Sequence, residues 1–287
     1  MWGVFIFVYK YSVIGGDIRQ EILLEALQKK ASCIRYGVGT HGDEAKSLEL
    51  AVTLAENLLL PIPMCKGNRL NIQQQDMEES KERVLKYLRK GQRVFAGCMD
   101  KTWIKQAKEK GVICYDYMED KSIAIFNSIA TAEGTIAEIL QTYLRNLHGT
   151  KIMVLGYGTC AKTLAVKLRG LAAEVCIAAR SEHALMEAYV NGYTTIRLEK
   201  ISEVLNEYPL IVNTIPARVI TRKELESVDT EAEIYEIASF PYGVDLDTAK
   251  ELGIKVSVCP ALPAKYAPVS SAEILKQYIL KKSGGRI

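Results

Sequence analysis

One stretch limits what this chain can become more than any other: residues 151–181, KIMVLGYGTCAKTLAVKLRGLAAEVCIAARS. Residues 152–155 form a short apolar run, long enough for one buried parallel strand. Gly156, Gly158 and Ala161 then follow in the G-x-G-x-x-A spacing of a dinucleotide turn, with Thr159 and Cys160 completing its first helical turn. Each small residue has a task. Gly156 allows the sharp turn off the strand, Gly158 lets backbone N–H groups approach a pyrophosphate, and Ala161 lets the helix pack closely on the sheet. The helix over 159–169 carries Leu164, Ala165 and Leu168 at helical spacing and ends at Gly170. A second apolar run, 175–179, supplies the next strand and closes a βαβ unit. Unpaired N–H groups and the dipole at the start of that helix favour an anion.

The end of the second strand selects the cofactor. An NAD site usually places an acid there to hold the ribose 2′-hydroxyl. This chain has Ala179, Arg180 and Ser181 instead. A guanidinium pairs bidentately with a phosphate, and Ser181 adds a hydroxyl donor, so the stretch reads as an NADP site.

At 287 residues the chain has room for a second domain around this unit. A net charge of +3 with dispersed basic residues excludes a nucleic-acid face. The seven cysteines form no C-x-x-C pair and no zinc spacing, so no metal is expected and a reducing, cytoplasmic location is. The apolar start, residues 1–16, is interrupted by Lys10 and lacks a basic n-region. It reads as a first strand, not a signal peptide or membrane span. Strand and helix patterns alternate through both halves, which implies parallel sheets covered on both faces. Helices are expected over 18–30, 77–90, 101–110, 182–190, 201–206 and 270–282. Residues 127–134, NSIATAEG, break the rhythm before a bridging helix over 135–147. The class is therefore α/β: two Rossmann-like doubly wound domains joined by a bridging helix, with a C-terminal helix returning to the first. The divisions are 1–126, 127–148 for the bridge, 149–264 for the NADP domain, and 265–287 for the returning helix.

In such sheets ligands bind outside the carboxyl ends of the strands. Asn213, Thr214, Ile215 and Pro216 follow the fourth strand of the NADP domain, beside the expected nicotinamide ribose, where Asn213 and Thr214 offer hydrogen bonds. Ala238, and Leu262 with Pro263, end two further strands and join the same set.

The order of these motifs resembles the dipicolinate synthase A-subunit family over nearly the whole chain. The matching pieces begin with Gly15-Gly16-Asp17-Ile18-Arg19-Gln20 and Leu60-Pro61-Ile62-Pro63. They continue with Asn127-Ser128-Ile129, Thr131-Ala132-Glu133-Gly134-Thr135, Gly156-Tyr157-Gly158 and Ala179-Arg180-Ser181, and end with Asn213-Thr214-Ile215-Pro216 and Pro260-Ala261-Leu262-Pro263. The chain departs from the family's pattern at Ala130, at Phe240 to Gly243, at Ala261 and Ala264, and at Glu273, all on the substrate side. The resemblance implies NADP in the second domain and oxidation of dihydrodipicolinate to dipicolinate in sporulation, on a branch of the lysine pathway. It also implies the synthase's flavoprotein-like B-subunit for a partner, and a homo-oligomer is expected. A dicarboxylate substrate calls for cations: Arg19 first, then Lys265 and Arg218. Asp17 and Glu133 are candidate bases that equally suit helix caps, the cap being the favoured role for Glu133. The rival readings are a shikimate-dehydrogenase-like or hydroxyacid-dehydrogenase-like NADP enzyme, and a non-catalytic NADP-binding regulatory or scaffold subunit. His41, His148 and His183 are the only histidines and none lies in the last hundred residues, which weighs against the hydroxyacid type.

Overall fold

A computed structural model describes residues 7–73 and 78–284. The chain divides into two compact units, residues 1–126 with 267–287, and residues 127–266.

The first unit begins with β1 (Tyr9–Ile14), followed by α1 (Ile18–Gln28), whose N-cap is Asp17. Then come β2 (Cys33–Tyr36), β3 (Asp43–Glu44), α2 (Leu48–Thr53) and β4 (Ala55–Leu59). A small hairpin, β5 (Cys65–Lys66) and β6 (Arg69–Leu70), precedes α3 (Lys81–Tyr87), β7 (Arg93–Ala96), α4 (Lys101–Glu109) and β8 (Ile113–Asp116). The main sheet runs β3-β2-β1-β4-β7-β8 with every pair parallel. Helix α5 (Lys121–Thr142) carries the chain onward.

The second unit contains β9 (Lys151–Leu155), α6 (Thr159–Gly170), β10 (Glu174–Ala179), α7 (Glu182–Val190) and β11 (Thr194–Arg197). It continues through β12 (Leu210–Asn213), α8 (Arg222–Leu225), β13 (Glu233–Glu236), α9 (Leu246–Glu251), β14 (Lys255–Val258) and α10 (Leu262–Tyr266). Its parallel sheet has the order β11-β10-β9-β12-β13-β14, the doubly wound arrangement whose order reverses between β9 and β12. Helix α11 (Pro268–Ser283) then packs on α1 in the first unit, burying Leu275 and Ile279 with Leu24 and Leu27. Two Rossmann-like domains, a bridging helix and a returning C-terminal helix are what the sequence implied.

Strand alternation places the cores. Ile152 and Val154 of β9 face α6, where Ala161, Leu164, Ala165 and Leu168 meet them. Met153 and Leu155 face the opposite layer with Ile201, Leu205 and Leu225. Both faces are covered, so these strands are apolar throughout.

Several expectations need correction. The bridging helix starts at Lys121, and residues 127–134 lie inside it. Gly134 is no breaker there: a Cβ would stand 2.8 Å from Tyr266 Cδ2 and 3.0 Å from Leu262 Cβ, so the glycine permits close packing of α10. Ser128, Thr131 and Thr135 are tolerated because Thr131 and Thr135 donate to carbonyls one turn back, and Ser128 shares a 2.7 Å hydrogen bond with Thr163 of α6. The charged helix is confined to Lys81–Tyr87, Met77 lying outside the described residues, and residues 201–206 form 3₁₀ turns. The first strand begins at Tyr9; residues 1–6 lie outside the described residues. Helix α5 is long and apolar enough to cross a membrane by length and composition, but its Ala132 and Ile139 belong to the second unit's core.

Candidate functional site

The carboxyl ends of β9 and β12 lie side by side at the reversal point of the second sheet, the place where doubly wound folds bind ligands. Gly156 leaves β9 at φ +98°, a left-handed conformation natural to glycine. A Cβ there would lie 2.5 Å from Thr214 Oγ1 and 3.1 Å from Ile215 Cγ1. Thr214 is what brings the two loops together: its N–H and Oγ1 both donate to Leu155 O, at 3.1 and 2.7 Å. The loop after β12 is thereby latched onto the glycine turn.

Gly158 is the N-cap of α6 and supplies no side-chain cap. A Cβ added to it would meet nothing within 4 Å. Among the described residues no side chain caps the first N–H groups of this twelve-residue helix, and the space beside Gly158 is open, the arrangement a pyrophosphate fits. Thr159 is exposed beside them. Cys160 is half-buried, and burial raises its thiol above the ordinary cysteine value, so it is a neutral packing group and not a thiolate. Ala161 is fully buried beneath the sheet, as close helix packing requires.

β10 ends at the buried Ala179, and Arg180 projects from it exposed, with no ion pair or hydrogen bond among the described residues. Ser181 caps α7, its Oγ accepting the Ala184 N–H at 3.5 Å, which leaves its own proton to donate. The next acid, Glu182, is paired with Arg197 and does not compete for Arg180.

Two of the expected ligand-facing groups turn inward instead. Asn213 is completely buried: its Oδ1 accepts the Ile215 N–H at 3.1 Å, and its Nδ2 donates to Ile215 O and to both oxygens of Glu236. Thr214 has its hydroxyl on Leu155 O. Both therefore shape the loop, leaving the half-buried Ile215 and exposed Pro216 as its outer surface. Ala238 donates its N–H to Glu236. Leu262 is 2% exposed within the core around α5, so it holds α10 in place and does not line the crevice, and Pro263 beside it is buried. Sequence reasoning passed over Glu236, because a glutamate ending a strand reads as a solvated charge; it is 0% exposed.

The candidate catalytic residues are divided between the two units. Arg19 and Asp17 sit in the first unit at the start of α1. Asp17 Oδ1 accepts the Arg19 N–H at 3.0 Å and Nε at 2.9 Å, its Oδ2 accepts Nη2 at 2.6 Å, and Nη2 also donates to Ile62 O at 2.8 Å. Asp17 is thus a cap and counter-ion, and Arg19, 6% exposed, is largely spent on it. The adjoining cavity of about 310 Å³ is lined by Asp17 and Glu21 with Gly16, Gly37 and Gly39, an acidic crevice where the second unit has an open helix terminus. Substituting Asp17→Ala is expected to cost about 3–5 kcal/mol, since it strands a buried guanidinium and removes a cap. Urea denaturation measures this, and a loss below about 1 kcal/mol, that of a surface pair, would show the pair to be idle. Glu133 lies well inside α5, exposed and paired with Lys167 at 2.9 Å, so it caps nothing. Arg218 pairs with Asp245 at 3.2 Å, and Lys265 with Glu138 at 2.6 Å. Among the described residues no group of three or more His, Cys, Asp or Glu is placed to hold a metal ion.

A glycine turn and an uncapped helix at the reversal point of a doubly wound sheet, with an exposed arginine after the next strand, are the features of a nicotinamide-dinucleotide-binding domain. Residues 127–273 match the model of the S-adenosyl-L-homocysteine hydrolase NAD binding domain, and residues 10–118 match that of the dipicolinate synthase A-subunit N-terminal domain. The chain is 29% identical to the dipicolinate synthase A-subunit of Bacillus subtilis (strain 168), over 95% of both chains. It is 28% identical to adenosylhomocysteinase of Halobacterium salinarum over 45% of this chain and 30% of that protein. The crystal structure of the dipicolinate synthase A-subunit from Bacillus halodurans superposes with a TM-score of 0.84 at 26% identity, covering 99% of this chain and all of that one. The chain thus resembles dipicolinate synthase A-subunits over nearly its whole length, and with residues 127–273 it belongs to the family of the S-adenosyl-L-homocysteine hydrolase NAD binding domain.

Proposed function

We propose that this chain is the NADP-binding, redox-active subunit of a dipicolinate synthase, oxidising dihydrodipicolinate to dipicolinate in the sporulating cytoplasm together with the flavoprotein-like B-subunit of that synthase. One observation carries the cofactor: the helix terminus at Gly158, free of any side-chain cap, stands in the same βαβ unit as the unpaired Arg180. A 2′-phosphate satisfies that guanidinium, and a ribose hydroxyl asks instead for an acid that β10 does not end in.

The bound nicotinamide supplies the hydride acceptor. The reaction moves one hydride and one proton, and aromatisation of the ring makes it downhill, so the protein's tasks are binding and orientation. The α6 N–H groups hold the pyrophosphate, Arg180 and Ser181 the 2′-phosphate, and the Thr214–Leu155 latch sets the loop beside the nicotinamide ribose. Arg19 serves to hold the loop after β1.

Absorbance at 340 nm tests the reading. With NADP, dihydrodipicolinate and the flavoprotein-like partner present, absorbance is expected to rise, faster with NADP than with NAD. Tight NADP binding by calorimetry without turnover in any combination would leave a non-catalytic cofactor-binding protein, and the enzymatic reading would be abandoned.

A further inference from the structure

We infer that Glu236 is a positioning residue for the nicotinamide half of the cofactor, a buried carboxylate that clamps two loops into the wall on which that half rests. The inference depends on the crevice being an NADP site.

Glu236 ends β13 directly opposite Asn213, the last residue of β12. It is completely buried, and among the described residues no lysine, arginine or histidine pairs with it. Among the described residues its two oxygens accept from N–H groups alone. Asn213 Nδ2 reaches both oxygens at 2.9 Å, Ala238 N donates to Oε1 at 2.9 Å, and Gly243 N and Val244 N donate to Oε2 at 2.8 and 3.0 Å. Only an acceptor-only side chain takes all of these donors together; a glutamine would turn its own NH₂ against some of them. The carboxylate thus ties residues 213–215 to residues 238–244, and Thr214 ties the first of these loops to the Gly156 turn.

The fit is close. A Cβ on Gly243 would lie 2.3 Å from Asn213 Nδ2 and 2.7 Å from Ile215 O. The loop so held keeps Tyr242 at φ +65° and Phe240 81% exposed, with the two rings edge to face at 5.7 Å. Positive φ at an aromatic residue persists only where surrounding bonds impose it. Arg180 and the α6 terminus belong to the loops after β10 and β9, and Glu236 touches neither. The clamp therefore acts on one half of the dinucleotide.

Calorimetry with NADP and with 2′,5′-ADP, the adenine half bearing the 2′-phosphate, separates the halves. For Glu236→Gln, 2′,5′-ADP affinity is expected within about two-fold of the parent, while NADP weakens about ten-fold or more, the scale of one lost charged hydrogen bond. Unchanged NADP affinity, or equal loss for both ligands, overturns the inference. Failure of 2′,5′-ADP to bind the parent overturns the cofactor reading beneath it. Should Glu236→Gln not fold, Gly243→Ala keeps the carboxylate but displaces its loop, and the same comparison applies.

Discussion

Replacing Gly156 by alanine is expected to remove both stability and cofactor binding. The position sits at φ +98°, where a Cβ costs about 1–2 kcal/mol in backbone strain alone. The added carbon would also stand 2.5 Å from Thr214 Oγ1, a hydroxyl already committed to Leu155 O. Overpacking of that kind adds about 1–3 kcal/mol. The loop after β12 can yield only by giving up the latch, which disturbs the turn to which we assign the dinucleotide. Urea denaturation is expected to show a loss of about 2–5 kcal/mol on those terms. Calorimetry is expected to show no measurable NADP binding. A variant as stable as its parent, and still binding, would mean that the latch does not define the turn.

Arg180→Asp is expected to exchange one coenzyme for the other. Arg180 is exposed and, among the described residues, without a partner, so its loss leaves no buried group stranded and stability stays close to that of the parent. The new carboxylate repels the 2′-phosphate, and NADP affinity is expected to fall by about two orders of magnitude, one for the lost charged hydrogen bonds and one for the repulsion. It also supplies the acid that a ribose 2′-hydroxyl accepts, so NAD affinity rises. Paired titrations with NADP and NAD measure the exchange. Equal affinity of parent and variant for NADP would move the 2′-phosphate elsewhere and remove the reason for preferring NADP over NAD.

The two substitutions draw on different amounts of tertiary information. The position of Arg180 was legible in the sequence because it depends on local order: it follows the strand after a glycine turn, and its exposure needs no distant partner. Gly156 was legible as a turn, but the reason it tolerates no side chain is Thr214, which reaches it only once β12 lies beside β9. Glu236 was hidden altogether. Its chemical neighbours in the chain, within EIYEIAS, resemble an ordinary strand end, and the N–H groups that solvate it include two from residues 243 and 244. Asn213 misled for the same reason, since it offers hydrogen bonds to a ligand only if no protein group takes them first. Gly134 misled in the opposite direction: read as a break, it is a site of close packing in a continuous helix.

Short-range pattern alone decided that this chain forms two doubly wound sheets, and where the glycine turn sits in the second. Short apolar runs and small residues at a turn act within a few positions of each other, so their consequences need no knowledge of the rest of the molecule. Which polar side chains face a ligand and which are consumed inside the protein was decided only by the tertiary structure. A hydrogen bond or ion pair needs a partner at about 3 Å, and for Thr214, Asn213 and Glu236 that partner comes from another strand or loop.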